Sequence, residues 1–129
     1  MNDKIKILII DDQAAPRESA RMILKNRYNV ATTEGAIEGY QYLAENPVDL
    51  IFIDIKMPNI DGITALREIK KKYPEVLVIL FSGYITPEIT QQALKLGAYK
   101  CLRKPFDKDD LFDTVKEALK DREGRGRPL

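Results

Sequence analysis

The sequence predicts a single doubly wound α/β domain of (βα)5 form, with a five-stranded parallel sheet in the order 2-1-3-4-5. Three observations predict it. Short apolar runs alternate five times with segments of helical period. Three runs are almost wholly apolar and two are mixed, which supplies three central strands and two edges. Polar signals stand at the carboxyl ends of four runs: Asp11-Asp12, Asp54, Ser82-Gly83 and Lys104-Pro105. In open sheets of this kind, ligands bind beyond the carboxyl ends of the strands.

The elements follow in order. Ile5–Ile10 reads as a strand buried on both faces, and the next segment repeats Pro16, Ala20, Ile23 and Leu24 on one helical face. Tyr28–Thr33 carries Asn29 and Thr32 and reads as an edge; its helix shows Ala36, Tyr40, Leu43 and Ala44. Asp49–Ile53 is a central strand running into Asp54, followed by a face of Gly62, Ala65, Leu66 and Ile69. Val76–Phe81 is the third central strand, and Ile89, Ala93 and Leu96 mark its helix. Tyr99–Arg103, with Lys100 and Arg103, is the second edge, and Leu111, Val115, Ala118 and Leu119 close the pattern. Five β-α units in series imply right-handed crossovers and helices on both faces. The order 2-1-3-4-5 sets strands 1 and 3 side by side at the switch point, and so brings Asp11, Asp12 and Asp54 together. Helical periodicity is expected to end at Gly124, giving a domain over residues 1–121 and a flexible basic tail or linker start over 122–129.

Composition removes whole classes of chemistry. A chain of 129 residues is large enough to bury a stabilising core without staples. Its 21 Lys and Arg nearly balance 20 Asp and Glu, so no global field recommends nucleic acid or a membrane as partner of the domain itself. No apolar run is long enough to span a bilayer, and the N-terminus lacks the form of a signal peptide. A lone cysteine, Cys101, precludes an internal disulfide and accords with a cytoplasmic setting. Histidine is absent, which removes Ser-His-Asp and Cys-His catalysis and, with one cysteine, any ordinary zinc site. Any phosphohistidine in the chemistry must come from another protein.

What remains is carboxylate, hydroxyl and amine chemistry on one sheet edge. Two carboxylates about 4 Å apart repel by roughly 4 kcal/mol at an effective dielectric near 20. Three of them are therefore expected to recruit a cation or shift their pKa values, and an all-oxygen set with room for water suits Mg²⁺. Asp11 or Asp12 equally suits the cap of the first helix, and one aspartate can serve both ends. A metal held there also binds an incoming phosphoryl group, which Asp54 could attack to form an acyl phosphate. Such transfer depends on positioning and charge neutralisation. Lys104 offers an ammonium to a phosphate and Ser82 a hydroxyl. Pro105 restricts the backbone at Lys104 and argues for a fixed side-chain direction.

These motifs in this order resemble the response-regulator receiver domain of two-component and phosphorelay signalling, over residues 4 to about 120, a flavodoxin-like fold. The resemblance is carried by Asp11-Asp12, Asp54 with Met57-Pro58 and Asp61-Gly62, Ser82-Gly83, Gly97-Ala98 and Lys104-Pro105-Phe106. It implies that Asp54 is the phosphoacceptor and that Asp11, Asp12, Asp54 and the backbone carbonyl of Lys56 hold Mg²⁺. It also implies that Ser82 and Lys104 bind the phosphoryl oxygens, and that the donor is a sensor histidine kinase or a histidine phosphotransferase. The signal would leave by conformational change or onward phosphotransfer, from a monomer or a phosphorylation-dependent dimer. One position departs: most relatives carry Tyr or Phe three residues before the lysine, where this chain has Cys101. Lys56 and Tyr84, at rim positions that govern phosphoryl lifetime, together with Gln13, resemble the single-domain relay of sporulation phosphorelays.

Two other readings compete. One is a receiver fragment of a longer DNA-binding transcription regulator. There Arg125-Gly126-Arg127-Pro128 is either a basic linker or the core of an AT-hook, a minor-groove segment. The other is a small Mg-dependent phosphohydrolase with an aspartyl nucleophile. That enzyme wants a general-acid aspartate two residues after Asp54, where Lys56 stands. A nucleotide-binding module wants a glycine-rich loop after the first strand, and Gln13, Ala14, Ala15 and Pro16 supply no glycine.

Overall fold

Alternation along three apolar strands decides the architecture. A computed structural model describes residues 5–125. In it β1 (Lys6–Ile10), β2 (Asn29–Thr33), β3 (Leu50–Asp54), β4 (Leu77–Ser82) and β5 (Lys100–Arg103) form one parallel sheet in the order β2-β1-β3-β4-β5. The predicted order is the observed one. Five helices connect and follow the strands: α1 (Ala14–Leu24), α2 (Ala36–Glu45), α3 (Gly62–Lys72), α4 (Pro87–Lys95) and α5 (Lys108–Arg125).

Successive side chains of a strand point to opposite faces, so the central strands feed two cores. Leu8, Ile10, Ile51, Ile53, Val78 and Leu80 pack under α2, α3 and α4, with Leu43, Leu66 and Ala93. Ile7, Ile9, Leu50, Phe52, Ile79 and Phe81 pack under α1 and α5, with Leu24, Leu111 and Val115. β2 and β5 are the edges, half-buried or exposed along their length, as Asn29, Thr32, Lys100 and Arg103 indicated. Ala44 is exposed, so the buried stripe of α2 is Ala36, Gly39 and Leu43.

Register levels the functional edge. Ile10 pairs with Ile53, Asp54 with Phe81, and Ser82 with Arg103. The ladder runs one residue further in three places, where Asp11 N–H donates to Thr33 (3.2 Å), Ile55 N–H to Phe81 (3.0 Å) and Lys104 N–H to Ser82 (2.8 Å). Asp54 and Ser82 are thus the last residues of their strands rather than the first residues beyond them.

α5 runs to Arg125, one residue past Gly124, where helical periodicity is expected to end. Contacts with the rest of the fold hold the turn before it. The Tyr99 hydroxyl bonds Asp121 at 2.6 Å, and Arg122 Nη1 lies 3.4 Å from Asp49 Oδ1. Beyond Arg125, the Gly126-Arg127-Pro128 portion of the basic motif lies outside the described residues.

Candidate functional site

Asp11 is fully buried, and every polar group it has is engaged. Its N–H donates to Thr33, its Oδ1 accepts from Gln13 N–H at 3.0 Å, and its Oδ2 lies 3.1 Å from Lys104 Nζ. Its carbonyl accepts from Arg17 Nη1 at 2.8 Å. Neither acidic residue caps α1: the cap position is Gln13, without a side-chain bond, and the Asp11 carboxylate instead turns the loop before it. Asp12 is exposed on the rim. Asp54, 4% exposed at the end of β3, places Oδ1 3.2 Å from Lys104 Nζ.

Lys104 reaches this pair from β5 over the face of Phe81, its Nζ 4.9 Å from the ring centroid. Phe81 stacks in turn on Phe106 (5.5 Å between centroids, 3° between planes), so the ring beneath the ammonium is backed by a second one. The Lys104–Pro105 bond is cis. Ser82 is buried at the end of β4, and its Oγ accepts from Tyr84 N–H at 3.1 Å. A hydroxyl that accepts there keeps its own proton to donate.

Lys56 lies two residues past Asp54 on the β3–α3 loop, with its side chain exposed. That loop is drawn tight. Asn59 adopts the left-handed region (φ 71°), Asp61 caps α3 by accepting from Thr64 N–H at 2.8 Å, and Gly62 N–H donates to Ile55 at 2.8 Å. A Cβ on Gly62 would stand 2.4 Å from the Asp54 carbonyl oxygen and 2.8 Å from Ile55 Cα. The first turn of α3 lies against the strand end that carries Asp54, and glycine is what permits it.

The electrostatics are unbalanced. One carboxylate oxygen from each of Asp11, Asp12 and Asp54 lies within 4.8 Å of the others, and among the described residues a single ammonium faces them. Burial pushes the Asp54 carboxyl up to about 6; the neighbouring Asp11 charge adds to the rise, and Lys104 opposes it. A divalent cation with oxygen ligands relieves that excess, so the donor set fits Mg²⁺. Beside Lys104 a shallow groove of about 270 Å³ opens between α1 and the β5–α5 turn, lined by Pro16, Ser19, Lys104, Pro105 and Phe106.

The edge therefore gathers Asp11, Asp12, Asp54 and Lys104 within reach of one another, and Ser82 ends the neighbouring strand with its Oγ accepting from Tyr84 N–H. Sequence reasoning missed Arg17, the Phe81 ring under Lys104, and two ties between β5 and the β4–α4 region. In those ties Arg103 Nη2 donates to the Ile85 carbonyl at 3.2 Å, and Thr90 makes a side-chain hydrogen bond with Cys101. Cys101 is half-buried against the α2–α3–α4 core, and that burial raises its thiol pKa, with the Thr90 bond working the other way. Arg17 left one signal: a cation in the first turn of a helix opposes the helix dipole and needs a specific partner.

Residues 7–116 match the family model described as the response regulator receiver domain. The hydrogenase transcriptional regulatory protein HoxA of Cupriavidus necator is 33% identical over 121 residues, covering 92% of this chain and 25% of that protein. Transcriptional regulatory protein ZraR of Escherichia coli is 34% identical over 119 residues, with 92% and 27% covered. The chain thus spans about a quarter of the length of these curated relatives. Among solved structures, a CheY-like response regulator receiver domain protein from Methanospirillum hungatei superposes with a TM-score of 0.90. It is 31% identical, and 95% of this chain and 99% of that one are covered.

Proposed function

The chain belongs to the response regulator receiver domain family, and from that premise we propose that Asp54 accepts a phosphoryl group from a partner's phosphohistidine. The observation that carries the proposal is the buried Asp54 carboxylate, 3.2 Å from Lys104 Nζ and grouped with Asp11 and Asp12 within 4.8 Å. The donor is a sensor histidine kinase or a histidine phosphotransferase, since this chain has no histidine of its own. That reaction belongs to the cytoplasm. Among the described residues no helix is long and apolar enough to cross a membrane.

Asp11, Asp12, Asp54 and the Lys56 carbonyl would hold Mg²⁺. When bound, it supplies charge neutralisation for the carboxylates and the incoming phosphoryl oxygens. An Asp54 oxygen forms its bond to phosphorus as the phosphorus–nitrogen bond breaks, and the imidazole keeps the bonding pair. Lys104, already at Asp54, transfers its pairing to a phosphoryl oxygen. The Ser82 hydroxyl, which accepts from Tyr84 N–H, donates its own proton to another. The Phe81 ring, backed by Phe106, stays under the Lys104 ammonium throughout. The chain works as a phosphoacceptor that promotes only its own phosphorylation and dephosphorylation.

A second reading concerns output. HoxA and ZraR are named as transcriptional regulators, and this chain matches about a quarter of each. That favours a receiver governing an attached DNA-binding output over a free-standing relay.

The test uses Mg²⁺ and acetyl phosphate as a small donor. The protein should gain one phosphoryl group labile to base and hydroxylamine, Asp54→Asn should abolish the gain, and Asp12→Ala should weaken it. Undiminished labelling of Asp54→Asn would overturn the assignment.

A further inference from the structure

We propose that Arg17 is a positioning residue for the acidic cluster, holding the Asp11 main chain so that its carboxylate presents to the bound cation. The inference rests on the metal-dependent reading above. Arg17 sits in the first turn of α1, where the positive end of the helix dipole disfavours a cation. Its side chain is nevertheless 12% exposed. What it reaches in that position is the backbone of one residue six positions earlier: Nη1 donates to the Asp11 carbonyl at 2.8 Å. Nη2 lies 3.8 Å from the largely exposed Glu34 carboxylate at the end of β2, which draws the guanidinium across the loop.

The consequence is geometric. The Asp11 N–H is pinned from β2 by Thr33, and its carbonyl is pinned from α1 by Arg17. With the peptide groups on both sides of Cα fixed, the direction of the Cα–Cβ bond is fixed, and the carboxylate follows. Gln13 N–H on Oδ1 and Lys104 on Oδ2 then set its rotation. Asp12, one residue on, shares the peptide that Arg17 holds, and its next peptide is held by Gln13 N–H on Asp11 Oδ1, but its side chain is exposed. Asp11 is the buried ligand of the cluster, and Arg17 is the side chain that holds the peptide between it and Asp12. A fork of planar donors makes the bond directional; a lysine supplies the charge without the fork.

Mg²⁺ binding by Arg17→Met, Arg17→Lys and the wild-type chain tests this, read from amide chemical shifts at Asp12 and Gln13, with urea unfolding in EDTA as the fold control. Loss of a residue that orients a metal ligand typically costs about tenfold or more in affinity, and that is the loss expected for Arg17→Met. Arg17→Lys should recover little of it, and labelling by acetyl phosphate should return to within about twofold of wild type at saturating Mg²⁺. Wild-type affinity in a folded Arg17→Met overturns the proposal, and so does full rescue by lysine, which would make charge rather than direction the cause. If Arg17→Met fails to fold, Arg17→Lys decides, since it must bind Mg²⁺ more weakly than wild type. A wild-type chain that binds no Mg²⁺ overturns the metal-dependent reading itself.

Discussion

Asp54 is held in a position that works against its own charge. It lies at the end of β3 with 4% of its surface exposed, beside Asp11, and its carboxyl is raised from 3.8 to about 6 even with Lys104 in contact. The folded chain therefore binds this proton more tightly than the unfolded chain does. Metal-free stability should fall as pH rises from about 4 to 6, and below that window Asp54 should contribute no penalty. Two units at 1.36 kcal/mol each make the penalty on the order of 2–3 kcal/mol at neutral pH. Asp54→Asn keeps the side chain's size and removes the charge. Urea unfolding in EDTA at pH 7.5 should find the asparagine variant more stable by about that amount, with the gap closing below pH 4. Adding Mg²⁺ should stabilise wild type and leave the variant nearly unchanged. A wild-type chain equal to the variant at pH 7.5 without metal would show that the cluster relieves its charge in another way.

Among the elements, the β3–α3 junction has the least slack. A Cβ on Gly62 would meet the Asp54 carbonyl oxygen at 2.4 Å, whereas a Cβ on Gly83, beside Ser82, would meet no heavy atom within 4 Å. Gly62→Ala should cost about 3 kcal/mol, since overpacking against backbone has no flexible side chain to yield. Gly83→Ala should stay within about 0.5 kcal/mol. Equal midpoints in urea for the two variants would contradict the close approach. The same junction marks where sequence stops being legible. The strands were readable because β1, β3 and β4 are buried on both faces and so are apolar almost throughout, with polar residues only at their ends. Gly62 read as one more member of an apolar stripe, because its role is the absence of an atom, visible only once Asp54 lies beside it. Arg17 was hidden for a related reason, since its partner is a main-chain carbonyl that carries no mark in sequence. The ties that Asp121 and Arg122 make to Tyr99 and Asp49 were hidden likewise, since those partners lie far away along the chain.

At the scale of the whole molecule, the question is how far a phosphoryl group on Asp54 is felt. On the proposed function the path would lead from Ser82 through the loop to α4, and β5 holds that region: Arg103 bonds the Ile85 carbonyl, and Cys101 bonds Thr90 on α4. Thr86 caps the helix by accepting from Ile89 N–H at 3.1 Å. On the proposed function, a Ser82 hydroxyl drawn to the phosphoryl group would pull on its bond from Tyr84 N–H and so on the start of this loop. In most relatives an aromatic ring then fills the vacated space, and a cysteine is too small to do so. Filling such a void is worth a few kcal/mol at most, while moving a population from 1:99 to 99:1 takes about 5.5 kcal/mol. The phosphoryl contacts must supply nearly all of that in this chain. With beryllofluoride as a phosphoryl mimic, amide shifts should concentrate at Asp11, Asp12, Asp54, Lys104 and the loop after Ser82. They should fade along α4 and α5, with the protein remaining monomeric. Cys101→Phe supplies the missing volume and should extend the shifts into Ile89–Leu96. A large cooperative response of α4 and α5 in the unaltered chain, or dimerisation through them, would show that the Arg103 and Thr90 ties transmit the change without any ring.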